Sequence, residues 1–187
     1  MNSHNQPSAS VARTYPHFTP AFPDKKDWAL PFILEARVGS HGGRVFLDFP
    51  LTGETWTYAE TQRLARAAAR SVLAVGGVPG DRFLIMASNR PEFVFSWLAA
   101  AHAAMIEVPL SVQLKGSFFE HQLRTVTPVV CAIEAEFAQH FIDAKGLCKS
   151  VRRFYVMGAA GESAGAIDRL RAAGFDAVPF AAIFEPV

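Results

Sequence analysis

Beyond residue 27 the chain switches repeatedly between short apolar runs and longer segments with helical spacing, and this rhythm limits the folds open to it. Arg82–Ser88 is the sharpest case: a continuous apolar run follows Gly80-Asp81, as expected for a strand covered on both faces. Ile106–Leu110, Pro128–Ile133, Arg152–Met157 and Asp176–Phe180 read as further strands. Helices are expected between them after Asn89, with the periodicity changing near Met105, and at Ser117–Val126, Ala135–Leu147 and Ala166–Ala173. Strands separated by helices imply βαβ units: an α/β fold with a mostly parallel sheet and helices on both faces. No internal repeat or interior linker interrupts the pattern, so residues 28–187 read as one domain.

Upstream of the sheet pattern, Trp28–Val38 has near-helical spacing and is expected to stop at Gly39. Arg44–Phe49 and Thr55–Thr57 form a strand pair around a turn at Gly53. Thr57-Tyr58-Ala59-Glu60 has the form of a capping box and opens a helix with Leu64, Ala68, Val72 and Val75 on one face. Arg63, Arg66 and Arg70 lie on another face, which reads as solvated. Gly76, Gly77, Pro79 and Gly80 end that helix. Asn89 is expected to cap the next helix, with Pro91 in its first turn, and Ser117 with Glu120 to form a second capping box.

Composition narrows the function classes. Of 187 residues half are hydrophobic, enough for a sizeable core, and the formal net charge is +1, which gives no electrostatic case for nucleic acid or an anionic membrane as partner. The two cysteines, Cys131 and Cys148, are too far apart for a metal or CxxC motif and read as reduced, buried thiols of a cytoplasmic protein. Phe93–Leu110 is the most apolar stretch, but Ser96, His102, Glu107 and Pro109 interrupt it, so no transmembrane segment is expected. Residues 1–27, polar and rich in Ser, Pro and His, read as a flexible leader.

Motifs for chemistry mostly fail on context. Gly161-Glu162-Ser163-Ala164-Gly165 matches G-x-S-x-G, yet an ordinary glycine-rich loop is expected there, and no His follows Ser163 to complete a triad. Gly158, Gly161 and Gly165 lack dinucleotide-fingerprint spacing, and no G-x-x-x-x-G-K-[ST] occurs. No His or Cys has metal-ligand spacing; His102 reads as a satisfied core histidine, and Glu134 and Glu136 as residues flanking a strand end. The residues therefore nominate no catalytic group and no metal site.

One ordered series is nevertheless specific. Thr57-Tyr58-Ala59-Glu60, Gly80-Asp81-Arg82, Asn89-Arg90-Pro91-Glu92-Phe93 and Val108-Pro109-Leu110 occur in an order and spacing that resemble the N-terminal portion of the adenylate-forming (AMP-binding) acyl-CoA synthetase superfamily. The resemblance covers Trp28 onward, and the tone of Phe93–Leu110 is similar to that of carnitine- or crotonobetaine-CoA ligases. Two departures stand out. Ala104-Met105 replaces the family's usual Gly-Ala, which is expected to loosen helix–strand packing, and Ser111 replaces the usual Asn or Asp.

The resemblance implies an ATP-dependent ligase of fatty acid metabolism that makes an acyl adenylate and passes the acyl group to CoA, with Mg assisting. It further implies that the residues handling ATP lie in segments this sequence does not contain. The chain is then an N-terminal scaffold fragment, inactive alone and binding no cofactor tightly, with dimerisation through the surface left exposed. It places the loop with Ser111 and Lys115 where the family's CoA channel opens, Lys115 facing a CoA phosphate; a solvated loop lysine is the competing reading. A free-standing α/β binding module that has lost the ligase chemistry is the rival for the whole chain.

Overall fold

The computed structural model describes Phe22 and residues Asp24–Glu185. Of the expected leader, residues 1–21 and Pro23 lie outside the described residues. Five parallel strands form the main sheet: β3 (Arg82–Met86), β4 (Ile106–Pro109), β5 (Val130–Glu134), β6 (Arg153–Met157) and β7 (Ala177–Pro179), in the order β4-β3-β5-β6-β7. Before them, β1 (Val45–Phe49) and β2 (Glu54–Thr57) make a separate antiparallel hairpin. The helices are α1 (Leu30–His41), α2 (Tyr58–Ala74), α3 (Pro91–His102), α4 (Gly116–Val126), α5 (Ala138–Asp143) and α6 (Ala160–Ala172).

The two-residue period of a strand divides the core in two. Leu84 and Met86 of β3, Cys131 and Ile133 of β5, and Phe154 and Val156 of β6 face one way, against α4, α5 and α6. Phe83 and Ile85, Val130 and Ala132, and Tyr155 and Met157 face the other way, against α2 and α3. Nothing polar interrupts these runs because both faces are dry. The one phenol among them, Tyr155, meets the buried Ser71 hydroxyl of α2 at 2.8 Å, so neither group is stranded.

Local chemistry sets the element ends. The Thr57 hydroxyl accepts from the Glu60 amide at 3.2 Å, and a Glu60 carboxylate oxygen accepts from the Thr57 amide at 2.9 Å, completing the expected capping box. That backbone hydrogen bond holds the Glu60 carboxyl below the usual range. α2 ends at Gly76, whose φ of +93° favours glycine; a Cβ there would also strike the Arg152 guanidinium.

Several elements differ from expectation. α1 runs through Gly39 to His41, because Gly42 and Gly43, not Gly39, make the turn into β1. α3 starts at Pro91, so its cap position is Arg90; Asn89 lies one residue too early to cap. α4 is capped by Lys115 with no side-chain hydrogen bond; Ser117 is already inside the helix, and Glu120 instead pairs with Arg124 at 3.5 Å. Ala135–Leu147 is broken into a 3-10 turn, α5 and a second 3-10 turn.

The departure at Ala104-Met105 is a backbone matter. Ala104 has φ of +53°, a left-handed conformation that glycine adopts freely and alanine does not. Packing is not loose: Met105 is buried and would contact any Cβ added at Gly77 at 3.3 Å. Ala104→Gly is therefore expected to stabilise the chain by about 0.5–1 kcal/mol in denaturant titrations.

Cys131 and Cys148 are free and buried on one side of the sheet. Burial pushes the Cys148 thiol from 9.0 up to about 11 and raises Cys131 as well. Above pH 9.0 the unfolded thiols ionise while the folded ones keep their protons, so the unfolded state binds fewer protons and stability falls towards pH 11. Cys148→Ala should flatten that fall when denaturation midpoints are compared across this range.

Candidate functional site

The chain leaves β3 to one side for β4, then crosses back to place β5 on the other side of β3. In open parallel sheets, the crevice at the carboxyl ends of strands beside such a reversal is where ligands bind. Two adjoining clefts open there. One, of about 500 Å³, is lined by Arg90, Glu134, Glu136, Glu162 and Arg169. The other, of about 550 Å³, is mainly apolar, with Trp56, Phe95, Phe180 and Phe184 among its walls. Met157 and Gly158 border both.

Glu134, the last residue of β5, organises the charged cleft. Its Oε1 accepts from the Ser88 amide and, at 2.6 Å, from the Ser88 hydroxyl, tying the carboxyl ends of β3 and β5 together. Its Oε2 lies 3.5 Å from the Arg90 guanidinium. Arg90 is gripped more closely by Glu92, which accepts two hydrogen bonds of 2.8 Å each from Nε and Nη2. That bidentate contact, with Glu134 behind it, holds Arg90 even more firmly protonated than usual. Glu134 thus does more than flank a strand end: it joins the two strands to the first turn of α3.

In the apolar cleft, aromatic rings meet edge to face in sequence. Phe49 meets Trp56 at 6.0 Å, Trp56 meets Phe95 at 5.2 Å, and Phe95 meets Phe184 at 5.4 Å. This chain of rings carries the β1–β2 hairpin onto α3 and the segment after β7.

Ser163 is not an exposed nucleophile. The expected glycine-rich loop is helix, because β6 passes into α6 through only Gly158 and Ala159; the φ of +139° at Gly158 makes so short a turn available. Ser163 therefore lies in the first turn of α6, buried, with its hydroxyl bonded to the Ala160 carbonyl at 3.2 Å. His102 is half-buried, and its Nε2 has no hydrogen-bond partner, so it is not the satisfied core histidine expected; burial, with Arg66 nearby, lowers its pKa. Ser111 and Lys115 are exposed on the loop after β4, away from both clefts. The Ser111 hydroxyl accepts from the Gln113 amide at 3.3 Å, and Lys115 leads into α4.

The two guanidiniums of the charged cleft are set among three carboxylates, and the described residues bring together no group of three or more His, Cys, Asp or Glu able to hold a metal ion. No helix among them is long and apolar enough to cross a membrane. Sequence reasoning passed over Arg90 and the clamping role of Glu134, because a separation of 46 positions between Ser88 and Glu134 hides their contact.

A parallel sheet flanked by helices, with paired clefts at its carboxyl edge beside a two-stranded hairpin, defines an α/β scaffold of the kind that begins adenylate-forming enzymes. The AMP-binding enzyme family matches residues 34–174, and the chain belongs to that family. Over 86 residues it is 37% identical to human long-chain fatty acid transport protein 1, covering 46% of this chain and 13% of that protein. Acyl-CoA ligase sidI of Aspergillus fumigatus is 36% identical over 85 residues, 46% of this chain and 14% of the ligase. The chain thus spans a small part of the curated relatives it matches. Among solved structures, the A-PCP didomain of carboxylic acid reductase from Segniliparus rugosus, in complex with AMP, superimposes with a TM-score of 0.70 and 17% identity, over 83% of this chain and 26% of that one.

Glu134→Ala would strand the Ser88 amide and loosen Arg90, and is expected to cost about 2 kcal/mol in denaturant titrations, whereas Glu134→Gln, which keeps a neutral acceptor, should cost about half as much.

Proposed function

We propose that this chain is the N-terminal scaffold part of an ATP-dependent acyl-CoA ligase, which joins a carboxylic acid to CoA as ATP becomes AMP and pyrophosphate. The observation that carries this reading is the coincidence of the family match, residues 34–174, with the elements from α1 to α6. Similarity to an acyl-CoA ligase and to a long-chain fatty acid transport protein points the substrate towards fatty or related carboxylic acids.

In this reading the described residues position rather than react. Glu134 and Arg90 fix the carboxyl edge of the sheet, and the aromatic chain from Phe49 to Phe184 fixes the hairpin beside it. ATP, Mg and most of the CoA contacts belong to other segments of the parent enzyme. Exposed Lys115, with Ser111, offers a cation to a CoA phosphate on the loop after β4, outside both clefts. The buried free thiols suit a reducing, cytoplasmic setting. The apolar cleft walls favour self-association of the isolated chain.

Pyrophosphate exchange into ATP with a panel of carboxylic acids tests the reading. The chain alone should give none above background, and robust exchange from these 187 residues would overturn the scaffold role. A coding sequence that continues past the Val187 codon into a Ser/Thr/Gly-rich loop ending in Lys is the second expected result. A stop codon there would favour the free-standing module.

A further inference from the structure

A further apolar depression, of about 390 Å³, lies between α1, β1 and α3 and shares no lining residue with the two clefts. Ile33 and Leu34 of α1, Phe46 of β1, and Val94, Trp97 and Leu98 of α3 form its walls. Trp97 and Phe46 are 42% and 41% exposed, so the slot opens to solvent along these two rings. Its volume falls within the roughly 300–1,000 Å³ of small-molecule sites.

The slot is polarised along α1. Arg37 is its only charged lining residue, and Tyr58 adds a phenol to the walls. His41, one turn beyond Arg37, has its ring 6.3 Å from that of Tyr58, which puts Tyr58 at the Arg37 end. Leu30 lines the other end, two turns back along the helix and about 10 Å away. The Arg37 guanidinium carbon lies 5.5 Å from the Phe22 ring centroid. A contact with a ring face leaves the N–H donors free, because they project from the guanidinium edge. Among the described residues no carboxylate or carbonyl accepts from them. Glu35, the carboxylate nearest in sequence, is turned to Arg66 at 3.2 Å. The Tyr58 ring stacks on Phe46 at 4.5 Å, and among the described residues its hydroxyl also has no partner.

We propose that this slot binds a medium-chain aliphatic carboxylate, with the alkyl chain between α1 and α3 and the carboxylate accepting from Arg37 and the Tyr58 hydroxyl. The charge pattern selects this occupant: one unanswered cation at one end of an apolar slot matches one anion at the end of an alkyl chain. A neutral lipid leaves Arg37 unanswered, and a dicarboxylate sets a second charge against Leu30 and Val94. A second copy of the chain needs roughly 1,200 Å² or more of matched surface, of which the slot is a small part. Binding here needs no ATP, CoA or other segment of a parent enzyme, so it stands or falls apart from the ligase reading.

Titration of the full chain with decanoate, below its micellar concentration and without ATP, tests the inference by methyl NMR. The methyls of Ile33, Leu34 and Val94 should shift saturably, while those of Leu84 and Ile133 stay in place. Affinity should rise about threefold for each added methylene from hexanoate to decanoate, then level off before palmitate as the chain emerges from the slot. Decanol, and decanoate with the Arg37→Gln variant, should each bind about tenfold more weakly. Val94→Phe, which fills the slot, should abolish the shifts, with unmoved Leu84 and Ile133 methyls showing that both variants keep the fold. Equal affinity for decanol and decanoate, or unchanged binding by Arg37→Gln, would overturn the proposal. Shifts at Leu64 and Val156 in place of the slot methyls would overturn it too, by putting the ligand in the apolar cleft. So would slot shifts that follow protein concentration without decanoate, which would mark a second copy as the occupant.

Discussion

Everything in this molecule hangs on three central strands that must be dry on both faces. β3, β5 and β6 send alternate residues into two separate cores, so each strand needs helices above and below it at once. Parallel strands cannot be joined by tight turns, and the crossings between them are where the covering helices form. The hairpin β1–β2 and α1 lie outside this constraint, and they keep much of the apolar surface that remains exposed.

Order within the sheet converts that packing into a site. Because β4 and β5 flank β3 on opposite sides, the connections diverge above the carboxyl ends and leave room for clefts. The backbone amide of Ser88, freed from the ladder at this divergence, needs an acceptor, and the carboxylate of Glu134 supplies it. Arg90 then shares its charge between Glu92 and Glu134, so an otherwise costly cluster of half-buried ions is internally matched.

Where local chemistry decided the outcome, sequence reasoning succeeded. The Thr57 and Glu60 pair closes over three residues, and the apolar runs at Arg82–Met86 and Val130–Glu134 are strands because no other element hides both faces in so few residues. It failed where a choice between neighbouring residues depended on the backbone's path. Asn89 looked like the cap, yet α3 begins after Arg90, whose guanidinium is held by Glu92 and Glu134. Gly161-Glu162-Ser163-Ala164-Gly165 looked like a loop, yet the tight turn at Gly158 feeds it directly into α6.

The sequence by itself determined the alternation of strand and helix, the parallel sheet and the family resemblance, since each rests on periodicity or on motifs a few residues long. Only the tertiary structure decided that Glu134 clasps Ser88 and Arg90, that Ser163 is buried, and that Ala104 bears a left-handed backbone that glycine would bear freely. The physical reason is distance along the chain. Contacts between residues many positions apart, and dihedral angles imposed by the packing of a helix on a strand, leave no periodic trace in the order of the residues.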